Sequence, residues 1–230
     1  MNYIWIRLAS PLQSWGGDAV SFELRPTNYI PTFSAILGFL GSCIGISYRK
    51  DLDKIKKIRD SIKIDIYPVS FGTQIGDYQG AGGGIKKIKE KNITATEDYR
   101  NREIPKKDSG QEAKVYLKEY LQDAKFDIIL KTEDSFLSNN ISNSLQTPKW
   151  YPFLGRKSCP LTEIPFGGSF TSIKDLYSQA KWKKRLHKIF FEQVSPDSEN
   201  ADPIKDFPLC LGDNTTGYRY VEEKNYADSI

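Results

Sequence analysis

The hydrophobic period of the chain changes twice within its first 66 residues, from about two to about 3.6 and back, an order that fits a strand–helix–strand unit. Ile4, Ile6 and Leu8 alternate with Tyr3, Trp5 and Arg7, which is strand periodicity with the first set facing a core. Pro31-Thr32 then opens a helix on which Phe33, Ile36, Leu37, Leu40 and Ile44 share a face, with Thr32 or Ser34 near its N-cap. Gly38, Gly41 and Gly45 form a smooth stripe on the same helix. Each interior glycine weakens a helix by about 1 kcal/mol, so the stripe predicts close packing against other backbone. Asp51 caps a second helical stretch carrying Leu52, Ile55 and Ile58, and Ile62, Ile64 and Ile66 alternate again as a strand. The other face of the first strand, with Tyr3, Trp5 and Arg7, has two readings: a surface that stacks bases, or a face covered by another part of the chain.

From Gly76 the pattern breaks, and no regular periodicity returns until about Glu112. A long stretch without structure inside a compact domain is usually functional or disordered, and a projecting arm over about 76–111 is the expectation. Phe126, Ile128 and Leu130 mark a further strand, and Leu137, Ile141 and Leu145 a short helix ending before Pro148. The order β-α-β, arm, β-α is most of a split βαβ, ferredoxin-like domain. The expected class is α+β, with a ferredoxin-like domain over 1–148 and a small β-rich domain over 149–230. In that second part, prolines at 152, 160, 165, 196, 203 and 208 interrupt short apolar stretches. The acidic loop from Pro196 to Asp206 and the polar end after Asp213 read as mobile.

Charge narrows the partners. Between Ile85 and Lys107 eight basic residues face four acidic ones, and this stretch holds the whole net charge of +4. It includes Lys86, Lys87, Lys89, Arg100 and Arg102. Phosphate attraction is a local field effect, so a concentrated excess favours a nucleic-acid partner; a solvated surface loop is the alternative. No apolar run approaches the ~18 residues a membrane span needs, and the N-terminus does not read as a leader. Cys43, Cys159 and Cys210 are odd in number and widely spaced, which suggests neither a disulfide framework nor a zinc knuckle. A soluble, cytoplasmic, reduced protein without cofactor or metal is the expectation.

Three segments look like more than packing: Leu12-Gln13-Ser14-Trp15-Gly16, Arg25-Pro26-Thr27 with the helix start at Thr32 and Ser34, and Tyr151 through Pro160. In the last of these, Gly155 would let the main chain approach a phosphate, Arg156 would supply a planar fork and Ser158 a hydroxyl, with Lys157 beside them. Such a turn is also a common surface feature. For Arg156 the other reading is a surface ion pair, although no carboxylate adjoins it in sequence. Free amides at the start of the Thr32 helix favour an anion.

Taken in series, Pro11-Leu12-Gln13-Ser14-Trp15-Gly16, Arg25-Pro26-Thr27, Ser34-Ala35-Ile36-Leu37-Gly38-Phe39-Leu40-Gly41, Glu97-Asp98-Tyr99-Arg100, Glu119 through Phe126 and Phe153 through Leu161 resemble the CasD-type subunits of type I-E CRISPR Cascade complexes, in the Cas-five family of the RAMP superfamily. The resemblance covers roughly the first 165 residues. It implies a ferredoxin-like (RRM-like) domain with a thumb, and a non-catalytic subunit that binds the crRNA 5′ handle beside a CasC-type backbone subunit and a CasA-type large subunit. Target DNA would be engaged indirectly, through guide pairing. Carried over by position, Gly155, Arg156, Lys157 and Ser158 would lie along the handle, with Gln13, Trp15, Arg25, Thr32, Ser34 and Tyr151 nearby. Lys86, Lys87, Tyr99, Arg100 and Arg102 would belong to the thumb. Trp15 would stack a base or anchor its loop on the core. Gly80-Ala81-Gly82-Gly83-Gly84 and the lysines after it depart from the family pattern.

The competing function is a metal-independent endoribonuclease that processes CRISPR repeat RNA. It would need a general base near a 2′-hydroxyl and a cation for the developing phosphate charge. His187, the sole histidine, sits in a basic run with Lys183, Lys184, Arg185 and Lys188. No carboxylate pair or His/Cys cluster has ligand spacing, and Gly82-Gly83-Gly84-Ile85-Lys86-Lys87 fails the Walker spacing.

Overall fold

A computed structural model describes residues 1–17, 23–47, 50–81, 114–179, 189–210 and 215–225. The first strand, β1 (Asn2–Ala9), is followed by two short ones, β2 (Leu12–Gln13) and β3 (Leu24–Arg25). Helices α1 (Phe33–Ile44) and α2 (Leu52–Ser61) lead to β4 (Lys63–Ser70). Strands β5 (Thr73–Ala81), β6 (Lys114–Gln122) and β7 (Lys125–Thr132) precede α3 (Ser135–Gln146). Then come β8 (Phe166–Phe170), α4 (Ile173–Gln179), β9 (Ile189–Gln193), β10 (Asp202–Cys210) and β11 (Thr215–Asn225).

Seven of the strands form one sheet in the order β10-β11-β9-β4-β7-β1-β8, with antiparallel neighbours throughout. Ile4, Ile6 and Leu8 pair across β7 with Leu130, Ile128 and Phe126. All six are buried, beside Ile64 and Ile66 of β4, in a core shared with α1, α2 and α3. The period-two residues therefore face helices, as the alternation requires. A smaller cluster on the opposite face holds Trp5, Tyr67, Ile129 and Phe190, and Leu176 of α4 packs into it. The Tyr3–Trp5–Arg7 face is thus covered rather than offered to bases: the Trp5 indole is buried and donates to Asp127 Oδ1 at 2.9 Å. On the same sheet buried Asp65 pairs with Lys131 at 2.5 Å, and Lys131 also reaches Glu192 on β9. Burial pushes the Asp65 carboxyl up to about 6 despite that ammonium.

The second sheet is built on β6. Strand β5 pairs along one side of it from Thr73↔Gln122 to Ala81↔Lys114; β2 runs antiparallel and β3 parallel on the other side. The regular pattern does not end at Gly76, as the sequence predicts: β5 continues to Ala81 and finds its partner beyond residue 113.

Two local devices differ from expectation. Gly45 ends α1 rather than extending the packing stripe; it adopts φ +80° and its amide donates to Gly41 and Ser42 carbonyls, the left-handed cap that glycine adopts without penalty. Asp51 precedes α2 but accepts from the Ser47 amide and from Lys54 instead of capping the helix. Asp134 does cap α3, accepting from the Leu137 amide at 2.9 Å. Part of the acidic loop expected from Pro196 to Asp206 is strand β10, and part of the polar end is β11. Pro203 and Pro208 are tolerated there because β10 is the sheet's edge, where a missing amide costs no ladder bond. Among the described residues no helix is long and apolar enough to cross a membrane.

Candidate nucleic-acid interface

The three segments singled out in sequence meet in space and are tied by hydrogen bonds. The Trp15 amide donates to Thr27 Oγ1 at 2.9 Å, and Thr32 Oγ1 donates to the Trp15 carbonyl at 3.0 Å. The Thr27 amide donates to Glu119 of β6 at 3.2 Å. The Ser14 amide donates to the Leu154 carbonyl at 3.1 Å, joining the first loop to the glycine loop. That loop is itself a turn closed by Leu154-to-Cys159 and Cys159-to-Arg156 backbone bonds.

Gly155 has φ +85°, and a Cβ there would lie 1.5 Å from the Ser14 carbonyl oxygen. The close approach that this glycine permits is therefore between two loops of the same chain. Arg156 is held by the fold too. Its Nη1 and Nη2 donate to the carbonyls of Glu119 and Arg25, both at 2.9 Å, and its guanidinium lies 4.7 Å from the Tyr120 ring centroid. Among the described residues no carboxylate pairs with it. Carbonyls and a ring leave the cation's charge uncancelled. Lys157 and Ser158 are exposed beside it, and Lys157 makes no ion pair among the described residues. Cys159 is buried under the turn, and burial raises its thiol above the ordinary range. Cys43 is likewise free and is pushed up to about 12 by burial.

Gln13 and Trp15 are both buried. Gln13 is 0% exposed, and its amide donates to the Leu8 and Ala124 carbonyls. Trp15 is 1% exposed, its ring edge-on to Phe126 at 6.3 Å, which anchors its loop on the core. The start of α1 is also different from expectation. Thr32 is the N-cap, and the Phe33 amide donates to Asp206 Oδ2 at 2.8 Å. The anion that the helix start favours is a carboxylate of the chain itself. Asp206 is in turn gripped by Arg219, whose Nε and Nη2 reach its two oxygens at 3.0 and 2.7 Å, with both side chains buried.

Around this knot lies a cleft of about 710 Å³. The Ser14–Gly17 loop lines it together with Asn28, Gly155 and, at the start of α1, Thr32, Ser34 and Ala35, and the rest of the lining comes from β10 and from Tyr218 of β11. Of the sequence-predicted residues, Trp15, Thr32, Ser34 and Gly155 thus share one cavity, with Arg156 and Arg25 tied to each other through the Arg25 carbonyl. Tyr151, 73% exposed, is not part of the lining. Lys86, Lys87, Tyr99, Arg100 and Arg102, and also His187, lie outside the described residues. Sequence reasoning missed the contribution of β10 and β11, because a stretch rich in proline and acid gives no period to read.

The sequence of the family described as CRISPR-associated protein (Cas_Cas5) matches residues 3–221. The chain belongs to the Cas5 family. A curated relative, the CRISPR system Cascade subunit CasD of Escherichia coli (strain K12), is 32% identical over 180 residues, covering 73% of this chain and 71% of CasD. A similar fold is found in a chain of a solved CRISPR RNA-guided surveillance complex, with a TM-score of 0.70, 20% identity and coverage of 97% of this chain and 89% of that one. A structure described as that of a Cas protein has a TM-score of 0.64 at 20% identity and covers 97% and 94% of the two chains. The resemblance read from the loop motifs is thus correct at the level of the family, and this Cas5 chain has a mixed α/β fold that is mostly sheet.

Proposed function

We propose that this Cas5-family chain is a non-catalytic subunit of a type I-E CRISPR Cascade complex that holds the crRNA 5′ handle. The observation that carries the reading is the convergence of the Ser14–Gly16 loop, the Thr32 helix start and the Gly155 loop on one cleft, in a chain that is 32% identical to a Cascade subunit. Arg156, Lys157 and Arg25 lie along that knot and bring positive charge to an RNA backbone. The basic residues Lys86, Lys87, Arg100 and Arg102 act with the aromatic Tyr99 as a thumb over the RNA. CasC-type and CasA-type subunits are the neighbours, target DNA is engaged indirectly, and the complex works in the cytoplasm. The strand order β4-β7-β1-β8 around helices on one face supports the ferredoxin-like reading of the first part of the chain.

The test is a gel with end-labelled repeat RNA and mature crRNA, each incubated with the full chain in EDTA, alone and with the backbone subunit. A handle-dependent shift without a new product is the expected result. A discrete product at the base of the repeat hairpin would make the chain a processing endoribonuclease, with His187 as the first residue to replace.

A further inference from the structure

The lining of the cleft contributed by β10 and β11 has the attributes of a binding surface rather than of packing. Between the pairs Ile204↔Arg219 and Phe207↔Gly217, two residues of β10, Lys205 and Asp206, stand opposite one residue of β11, Tyr218. This is a β-bulge, a device that re-aims side chains and recurs beside functional sites. Its effect here is to send Asp206 into the interior, onto the Phe33 amide and Arg219, while Lys205 stays exposed at the cleft. Asp206 is fully engaged by those donors, and Lys205 has no ion pair among the described residues. The free charge of this wall is a single ammonium.

Tyr218 is 59% exposed and lines the same cleft, and its ring has no aromatic partner among the described residues. Ser14, only 2% exposed, also lines the cleft, and its hydroxyl has no hydrogen-bond partner among the described residues. The Trp15 indole N–H is in the same condition. Buried polar groups are rarely left so; an exposed aromatic and a lone ammonium in the same cleft as Ser14 call for a ligand with a flat π-face, a polar edge and a negative charge. A volume of about 710 Å³ admits one such unit.

We propose that the β10–β11 bulge completes a nucleotide subsite in this cleft, with a base stacked on Tyr218, the adjoining phosphate at Lys205, and the Ser14 hydroxyl on a polar edge of the base or sugar. The Asp206–Arg219 pair is the positioning element that fixes both residues against the start of α1. This rests on the crRNA-binding reading and assigns one nucleotide of the handle to residues of the C-terminal hairpin.

The experiment substitutes 2-aminopurine at each handle position in turn and follows its fluorescence with the full chain and with its reconstituted complex. One position is expected to be quenched. Tyr218→Ala should abolish that quench and weaken binding about 5- to 150-fold, the range that one base–aromatic stack supplies, while Tyr218→Phe keeps both. Lys205→Ala should keep the quench and lower the slope of log affinity against log salt by about 0.7, one single-strand phosphate contact. Tyr218→Ala with unchanged quench and affinity would overturn the subsite and leave the crRNA reading standing. No handle-dependent binding by wild type, alone or in the complex, would overturn both.

Discussion

At Gly155 and Arg156 the side-chain chemistry visible in the sequence was legible, but the partner was not. A glycine beside Arg-Lys-Ser has the right chemistry for a phosphate, yet the groups these two residues meet, the carbonyls of Ser14, Arg25 and Glu119, come from distant parts of the chain. The same holds for Gln13 and Trp15, whose buried partners Ala124 and Phe126 follow them by more than a hundred residues. Gly155→Ala therefore acts first on the fold. With φ at +85° and the new Cβ at 1.5 Å from a carbonyl, one of the two loops has to move, and a stability loss of about 2–4 kcal/mol is expected. Urea denaturation measures it, and an unchanged midpoint would mean the loops do not touch as described. Arg156→Lys keeps the charge but not the fork. It should lose about 1–3 kcal/mol of stability with little change in the salt slope of RNA binding. Full stability in Arg156→Lys would mean that the carbonyl fork does not hold the loop as described.

Elements whose apolar residues keep one period over their whole length were legible: β1, α1, β4, β7 and α3 follow from isoleucine, leucine and phenylalanine spacing alone. Those that carry glycine or proline were not. Gly76 and Gly80 lie inside β5 and mask its alternation, and Pro203 and Pro208 do the same to β10, which only its place at the sheet edge allows. The β5–β6 pair bears on the proposed function because the basic stretch from Lys86 to Lys107 lies between its two strands in sequence. Paired strands with a continuous register fix the two points between which that stretch is inserted. Reversing the charge at Lys86, Lys87 and Lys89 together should lower the salt slope of crRNA binding by about 0.7 per phosphate lost, or about 2 if each meets one. Thermal stability should stay at the wild-type value, since none of the three belongs to either strand. A slope identical to wild type would remove these lysines from the RNA path.

Composition alone divides the molecule near Lys149, but its hydrogen bonding does not. Residues beyond that point supply β8 against β1 and β9 against β4, so strands from after the boundary lie at both sides of the four-strand order β4-β7-β1-β8 or complete it. They also supply Leu176 and Phe190 to the cluster over Trp5, Tyr67 and Ile129, and Leu154 and Cys159 to the main core. A chain cut to residues 1–148 would return the Trp5, Tyr67 and Ile129 side chains to water. At about 1.5–3 kcal/mol for each large apolar side chain, that loss alone is roughly 5–9 kcal/mol, against a total stability of about 5–15 kcal/mol for a typical domain. The lost β1–β8 ladder and the uncovered Asp65–Lys131 pair add to it. The expected outcome is that the full chain unfolds in one denaturant transition, followed by tryptophan fluorescence and far-UV circular dichroism together, while the 1–148 fragment gives no cooperative transition and no dispersed amide spectrum. Coincident curves for the full chain and a molten fragment would make the C-terminal part a structural half of one cooperative unit. A fragment that unfolds cooperatively would restore the two-domain division that composition suggests, and would move the cleft to a boundary between independently stable parts.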